Sequence, residues 1–420
     1  MCGIIPSFFF SFSPLPWCQG NFSMRGKFFY LLVASTLIAY YIYTPLPENV
    51  EEPWKVLLLD AAIRSLRHVL DLAHYMDVIN LHTIAEYTAP TSDEKVIVTE
   101  TNFSHVPVRL YIPIKKSNVL KRAVIFIHGG GWCIGSATMK SYDLLSRWTS
   151  ERLSAVVVSV DYRLAPKYRF PVAFEDVYSV AKYFLQSSIL EKYTVDPSRI
   201  GIAGDSAGGN LAAAVTQQLL DDPDVNAKFK VQALLYPGLQ IIDVELPSYQ
   251  DNKNMPILPK ALIIRFFSEY IKTDDSFLKA LETNQHVPVE YNHLFTFVNW
   301  SNWLPERFKK GHVYTDPSHR NSKIGLKYQD FVDPRVAPLL VEDIKLRGLP
   351  LTYILTCQYD ILRDDGIIYA SRLREAGVQV AHEHADNAFH GSMTFLSGPF
   401  ALNTGHRMAN NYIEWLNKNL

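Results

Sequence analysis

An excess of charge of either sign is missing from this chain: 41 Lys and Arg meet 42 Asp and Glu, a formal net charge of −1 over 420 residues. Without a dense basic face there is no footprint for nucleic acid, whose binders rely on phosphate neutralisation. Cysteine is scarce too, with 4 residues, too few for a scaffold built on disulfides. No internal repeat and no low-complexity linker is present, which removes solenoids and arrays. Gly-Lys-Ser and Gly-Lys-Thr are also missing, so the glycine-rich stretches are not phosphate loops. Apolar residues, in contrast, are abundant, at 48% hydrophobic against 20% charged. That balance supports a sizeable core and excludes a mostly disordered chain. The length allows two or three domains, or one large α/β domain with insertions.

Charge is most conspicuously absent near the start. Residues 1–23 carry none, Arg25 and Lys27 follow, and Phe28 to Pro47 is again uncharged. As a helix, that second run would be roughly 30 Å long, about the thickness of a bilayer's hydrocarbon core. Tyr30 at one end and Tyr40, Tyr41 and Tyr43 at the other suit interfacial aromatic belts. Arg25 and Lys27 predict a cytoplasmic N-terminus, with the body of the chain lumenal or extracellular. The competing reading is a cleaved signal peptide, but bulky Tyr41 and Tyr43 stand where a cleavage site wants small residues, so residues 24–47 read as an uncleaved signal anchor. Residues 1–23 are then an apolar extension and 48–420 the body. In a lumenal body Asn102-Phe103-Ser104 and Asn299-Trp300-Ser301 become glycosylation acceptors. Cys133 and Cys357 are an even pair in an oxidising compartment and a candidate disulfide; a buried free thiol at each position is the alternative.

Beyond the anchor, Leu59, Ile63, Leu66, Leu70 and Ala73 recur at helical spacing. Strand-like runs follow at Val96–Thr99, Val106–Ile112, Val124–Ile127, Val156–Val160, Ile200–Ala203, Val231–Leu235, Leu351–Leu355 and Val378–Ala381. The central ones are continuously apolar, as strands buried on both faces of a parallel sheet must be. Helical patterns lie between them, and the alternation predicts a doubly wound α/β domain with a mostly parallel, eight-stranded sheet. One stretch, between Pro237 and Pro350, holds helical patterns such as Leu262–Ile271 but no clear strand. It reads as a helical cap over the site, with contributions from about 50–90 and 240–325.

Three short segments carry chemistry. Gly204-Asp205-Ser206-Ala207-Gly208 sits between a strand and a helix, the context in which a nucleophile elbow lifts a serine above the sheet. His128-Gly129-Gly130-Gly131-Trp132 follows a buried strand, and its backbone can turn N–H groups into a site. Gly129, Gly130 and Ala207 are the expected oxyanion donors, with His128 shaping the loop and Gly131 completing the motif. Asp360 and His390 each follow a late strand, and the chain order Ser206, Asp360, His390 is that of α/β-hydrolases. In that order Ser206 attacks, His390 takes its proton, and Asp360 holds the imidazole. Asp364 and Asp365 read as a helix N-terminus, and His382 and His384 as structural.

With Asp161-Tyr162-Arg163-Leu164-Ala165-Pro166, these segments resemble the hormone-sensitive-lipase branch of the α/β-hydrolase esterases. The resemblance covers nearly everything from Met24 to Leu420; residues 1–23 have no counterpart. It implies the α/β-hydrolase fold behind a signal-anchor helix, and a microsomal serine hydrolase whose domain lies in the endoplasmic reticulum lumen. It also implies Ser206, Asp360 and His390 as the triad; such a hydrolase needs no metal or organic cofactor, and the aromatic-rich cap and adjoining membrane segment point to lipophilic substrates, short-acyl esters, arylacetamides or acylglycerols. The competing reading is a catalytically silent, membrane-tethered binding protein of the same fold; the complete trio and the glycine loop weigh against it.

Overall fold

The structure is a computed structural model, and it describes residues 24–75, 86–115, 119–315 and 323–420. The apolar extension 1–23, with Cys2 and Cys18, lies outside the described residues, as do parts of both expected cap segments. The chain forms two compact units, divided between Thr44 and Pro45.

In the first unit the apolar run forms the helix Met24–Ile42. It ends before Pro45 and Pro47, which cannot continue a helix. It begins early enough to take Arg25 and Lys27 into its first turns, so its uncharged part, Phe28 to Ile42, is only about 22 Å long. Among the described residues no helix is long and apolar enough to cross a membrane.

The second unit is built on an eight-stranded sheet in the order β1-β2-β4-β3-β5-β6-β7-β8. The strands are β1 Val96–Phe103, β2 Val106–Pro113, β3 Lys121–Ile127, β4 Ala155–Val160, β5 Val195–Asp205, β6 Val231–Leu235, β7 Leu351–Tyr359 and β8 Val380–Phe389. β1, β2 and β4 pair antiparallel, and every later pairing is parallel. The fold expected from the strand pattern is therefore the fold observed. β8 starts later than Val378, because the Val378 N–H closes the turn after the preceding helix onto Leu373 O at 2.9 Å.

Continuous apolar strands have no polar face, so the sheet needs a core on each side. On one side Ile125 and Ile127 of β3 pack with the helices Val172–Phe184, Ala207–Leu220 and Arg363–Glu375. On the other, Val124 and Phe126 pack with the helices Lys140–Leu153 and Asn403–Asn419. The last helix is not among those expected, although Met408, Ala409, Tyr412, Ile413 and Leu416 form a helical stripe and all are buried.

This two-sided arrangement corrects the candidate disulfide. Cys133 and Cys357 are both buried free thiols. Cys133 belongs to the cluster of Ile125 and Ile127, and Cys357 to that of Val124 and Phe126. The sheet thus separates the two sulfurs, which a bridge would need in near contact. Burial pushes both thiols up, so neither is a thiolate at neutral pH.

Among the described residues no strand interrupts the stretch from β6 to β7. It contains the helices Pro247–Asp251, Lys260–Tyr270 and Asp275–Glu282 and a tighter helix, Val289–Val298, whose Phe295 and Phe297 are packed into the core. The helix Pro53–Tyr75 meets this stretch where the Ile257 N–H donates to Asp60 at 3.3 Å. Its buried side is Val56, Leu59, Asp60 and Ala61; Leu66, expected on that side, is 55% exposed.

Asp364 and Asp365 fasten the base of the inserted stretch. Asp364 accepts from the Ser248 N–H at 2.7 Å, and Asp365 from the Leu239 N–H at 2.9 Å and Gln240 Nε2 at 3.0 Å. Burial pushes Asp365 up to about 8, against these hydrogen bonds. The folded chain therefore keeps a proton that the unfolded chain releases near its ordinary value of ~3.9. The contribution of this group to stability is complete below that value and is lost as pH rises to about 8. Asp365→Asn is expected to flatten that decline in urea-unfolding midpoints measured across roughly pH 5 to 8. An undiminished decline would refute the assignment.

Candidate active site

β3 and β5 are parallel neighbours, with Ile127 opposite Gly204. The loops that follow them, His128–Trp132 and the turn at Ser206, therefore leave the sheet side by side. Ser206 has φ 53 and ψ −119, a strained conformation for a residue with a side chain. The turn is that tight because its flanks have no side chains. A Cβ on Gly204 would lie 2.3 Å from Gly208 O, and one on Gly208 would lie 2.1 Å from Ile127 O. The Ser206 N–H is held by Leu235 O at 2.8 Å, and Ser206 caps the helix Ala207–Leu220.

The structure brings Ser206, Asp360 and His390 together although each leaves a different strand. Ser206 Oγ lies 2.9 Å from His390 Nε2, and His390 Nδ1 lies 2.9 Å from Asp360 Oδ2. A carboxylate only accepts, so Nδ1 carries the proton and Nε2 is left to accept from the serine hydroxyl. Asp360 is fully buried, and its other oxygen accepts from the Leu362 N–H at 2.8 Å. Asn252 of the inserted stretch donates to Asp360 O at 3.0 Å, and the Tyr236 ring meets His390 edge-on with centroids 5.1 Å apart. Such a relay can move a proton from hydroxyl to imidazole while the carboxylate stabilises the imidazolium.

The glycine loop is placed as expected, but its donors are assigned differently. The Gly129 N–H already donates to Asp205 Oδ1 at 2.8 Å and to Tyr142 Oη at 3.0 Å, so it is withdrawn from the oxyanion set. None of the described hydrogen bonds uses the N–H of Gly130 or Gly131. Ala207 opens its helix, where an N–H has no partner within the helix. These three, rather than Gly129, are the available donors. Gly130 has φ +113, and a Cβ there would lie 2.0 Å from Ile134 O. Phe266, on the helix Lys260–Tyr270, presses on Gly131, since a Cβ there would meet its ring at 2.2 Å.

His128 does shape the loop. Its ring stacks on Tyr162 with centroids 4.3 Å apart, and Nδ1 lies 2.8 Å from Gly129 O. A carbonyl only accepts, so Nδ1 donates, and burial keeps the ring neutral. His382 and His384 both meet Thr356 Oγ1 at 2.8 Å, far along the edge strand, and take no part in the relay. Of the glycosylation candidates, Asn102 is exposed on β1. Asn299 is half-buried, and its oxygen accepts from the Ser301 N–H at 3.1 Å to cap a helical turn. Asp205, Tyr142, Asn252 and Phe266 were not singled out from the sequence. Of these only Asp205 lay within a recognised motif.

Comparison with known proteins bears on this geometry. A family described by its alpha/beta hydrolase fold matches residues 124–291 and 299–394. The chain belongs to that family. Arylacetamide deacetylase of Bos taurus is 55% identical to it over 403 residues, 94% of this chain and 100% of that one. Neutral cholesterol ester hydrolase 1 of Bos taurus is 43% identical over 408 residues, 94% of this chain and 100% of that one. Among solved structures, a bacterial heroin esterase superposes with a TM-score of 0.58 at 26% identity, covering 79% of this chain and 87% of that one. The present hydrolase is therefore a serine esterase.

Proposed function

We propose that this hydrolase cleaves lipophilic carboxylic esters and arylacetamides through an acyl-enzyme on Ser206. The observation that carries the reading is the unbroken relay from Ser206 Oγ through His390 to Asp360. Ser206 adds to the carbonyl as its proton passes to His390 Nε2. The N–H groups of Gly130, Gly131 and Ala207 receive the oxyanion of the tetrahedral intermediate. His390 then gives the proton to the departing alkoxide or arylamine, leaving Ser206 acylated. Water, deprotonated by the same imidazole, releases the acid and restores the hydroxyl. The names of the two relatives above support both amide and ester substrates. The aromatic cover, with Phe266 against the glycine loop, supports lipophilic ones.

The same reading attaches the protein to the endoplasmic reticulum membrane through residues 24–47, single-pass, with the catalytic unit lumenal. Exposed Phe28, Leu31, Leu32, Leu37 and Ile38 support it, as do the basic pair before them and the uncharged residues that follow Ile42. Glycans on Asn102 and Asn299 belong to that placement. The test uses carbonate-washed microsomes from cells expressing the full chain. A fluorophosphonate should form its adduct on the Ser206 peptide, and short-acyl esters and arylacetamides should be hydrolysed. An adduct elsewhere, or a panel with no turnover, would overturn the chemistry; release of the protein by the wash would overturn the attachment.

A further inference from the structure

Asp205 stands between the two loops that build the site. It is the last residue of β5, directly before Ser206, and is 3% exposed. Its Oδ1 accepts from the Gly129 N–H at 2.8 Å, and its Oδ2 from Tyr142 at 3.2 Å and Tyr236 at 3.5 Å. Tyr142 itself accepts from the Gly129 N–H at 3.0 Å, so carboxylate, amide and phenol close on one another. There is no slack in the contact, since a Cβ on Gly129 would lie 2.7 Å from Asp205 Oδ2.

From this geometry we infer that Asp205 is a positioning residue: its carboxylate ties Gly129 to the nucleophile turn and so sets the distance between Ser206 Oγ and the oxyanion donors. The inference rests on the roles proposed above for Ser206 and the glycine loop. Burial pushes Asp205 up to about 6, opposed by the bonds from Gly129 and Tyr142 and by attraction to His390. The anion is thus kept at neutral pH in a site where burial disfavours it. What fixes the loop spacing is an acceptor oxygen at this place for the Gly129 N–H, and the charge strengthens that bond.

The test compares Asp205→Asn, Asp205→Ala and Tyr142→Phe in the full-length, membrane-bound protein. Asn keeps an oxygen for the Gly129 N–H; Ala removes it and leaves Gly129, Tyr142 and Tyr236 with nothing at its place. Asp205→Ala should lower kcat about 10²-fold with KM nearly unchanged, and weaken a boronic-acid transition-state analogue by the same factor. Asp205→Asn should recover most of both, and Tyr142→Phe should cost a few-fold in the same direction. Tyr142→Phe deletes one hydroxyl and keeps the ring packing, so it reports even where the Ala variant does not fold. Equal losses in Asn and Ala, or losses in KM rather than kcat, would overturn the positioning role. A wild type that forms no adduct on Ser206 would instead strike the proposed function.

Discussion

Replacing Ser206 with Ala should leave the fold intact and reduce ester hydrolysis by about 10⁴-fold or more. Ser206 is 8% exposed, and among the described residues its hydroxyl hydrogen-bonds to His390 Nε2 at 2.9 Å. Loss of that bond removes little stability, because Ala also relaxes no backbone constraint beyond the one already present at φ 53. On the proposed mechanism it removes the atom that forms the acyl bond, so the covalent route closes, and fluorophosphonate labelling should vanish with turnover. What survives is the oxyanion loop and the substrate pocket acting on water. His390→Ala should fall to nearly the same floor, since serine without a base stays protonated. The double variant should then be no worse than either single one, because residues acting as one unit are far from additive. Turnover by Ser206→Ala near the wild-type rate, or two losses that multiply, would show that the relay is not the catalytic unit.

Gly130→Ala should cost about 10²- to 10³-fold in kcat while KM changes little. The position has φ +113, a region closed to residues with a Cβ, and the added carbon would lie 2.0 Å from Ile134 O. That oxygen is backbone and cannot swing aside as a side chain would. The loop is also pinned at its other side, where the N–H groups of Cys133 and Ile134 donate to Gly130 O at 3.1 Å and 3.0 Å. Accommodating the methyl group must therefore rotate the peptide that presents the Gly130 N–H. A donor moved by even an ångström no longer meets the position of the oxyanion, though the ground-state carbonyl still binds. Fluorophosphonate adduct on Ser206 should persist, more slowly formed, which separates a damaged oxyanion site from a damaged nucleophile. A loss confined to KM would show that Gly130 lines the pocket rather than the transition state.

The elements differed in how far they could be read without a structure. All eight strands were legible, the central ones because a strand buried on both faces must be apolar throughout; the edge strands β1 and β8, largely exposed or half-buried, showed only short apolar stretches, and the start of β8 was misplaced. The elbow was legible from its Gly-x-Ser-x-Gly spacing between a strand and a helix; the close contact that demands Gly204 is local, to Gly208, whereas the one that demands Gly208 is with Ile127 of the neighbouring strand. The boundary of the N-terminal helix was less so, since where a helix starts depends on capping and competing turns rather than on hydrophobicity. The helix Asn403–Asn419 had a readable stripe, but its need for a partner, the exposed second face of the sheet, belongs to the assembled fold.

The amino-acid sequence by itself determined the order of strands and helices, the nucleophile turn and the chain order Ser206, Asp360, His390, because each is encoded in local pattern and spacing. Only the tertiary structure decided which N–H groups of the glycine loop are already held by partners and whether the cysteines pair. The Gly129 N–H, expected from the sequence as an oxyanion donor, is held by Asp205, 76 positions away in sequence. Cys133 and Cys357 are kept apart by the sheet between two cores. Both outcomes turn on which strands lie side by side and which way alternate residues point, and a linear pattern constrains neither until the sheet has assembled.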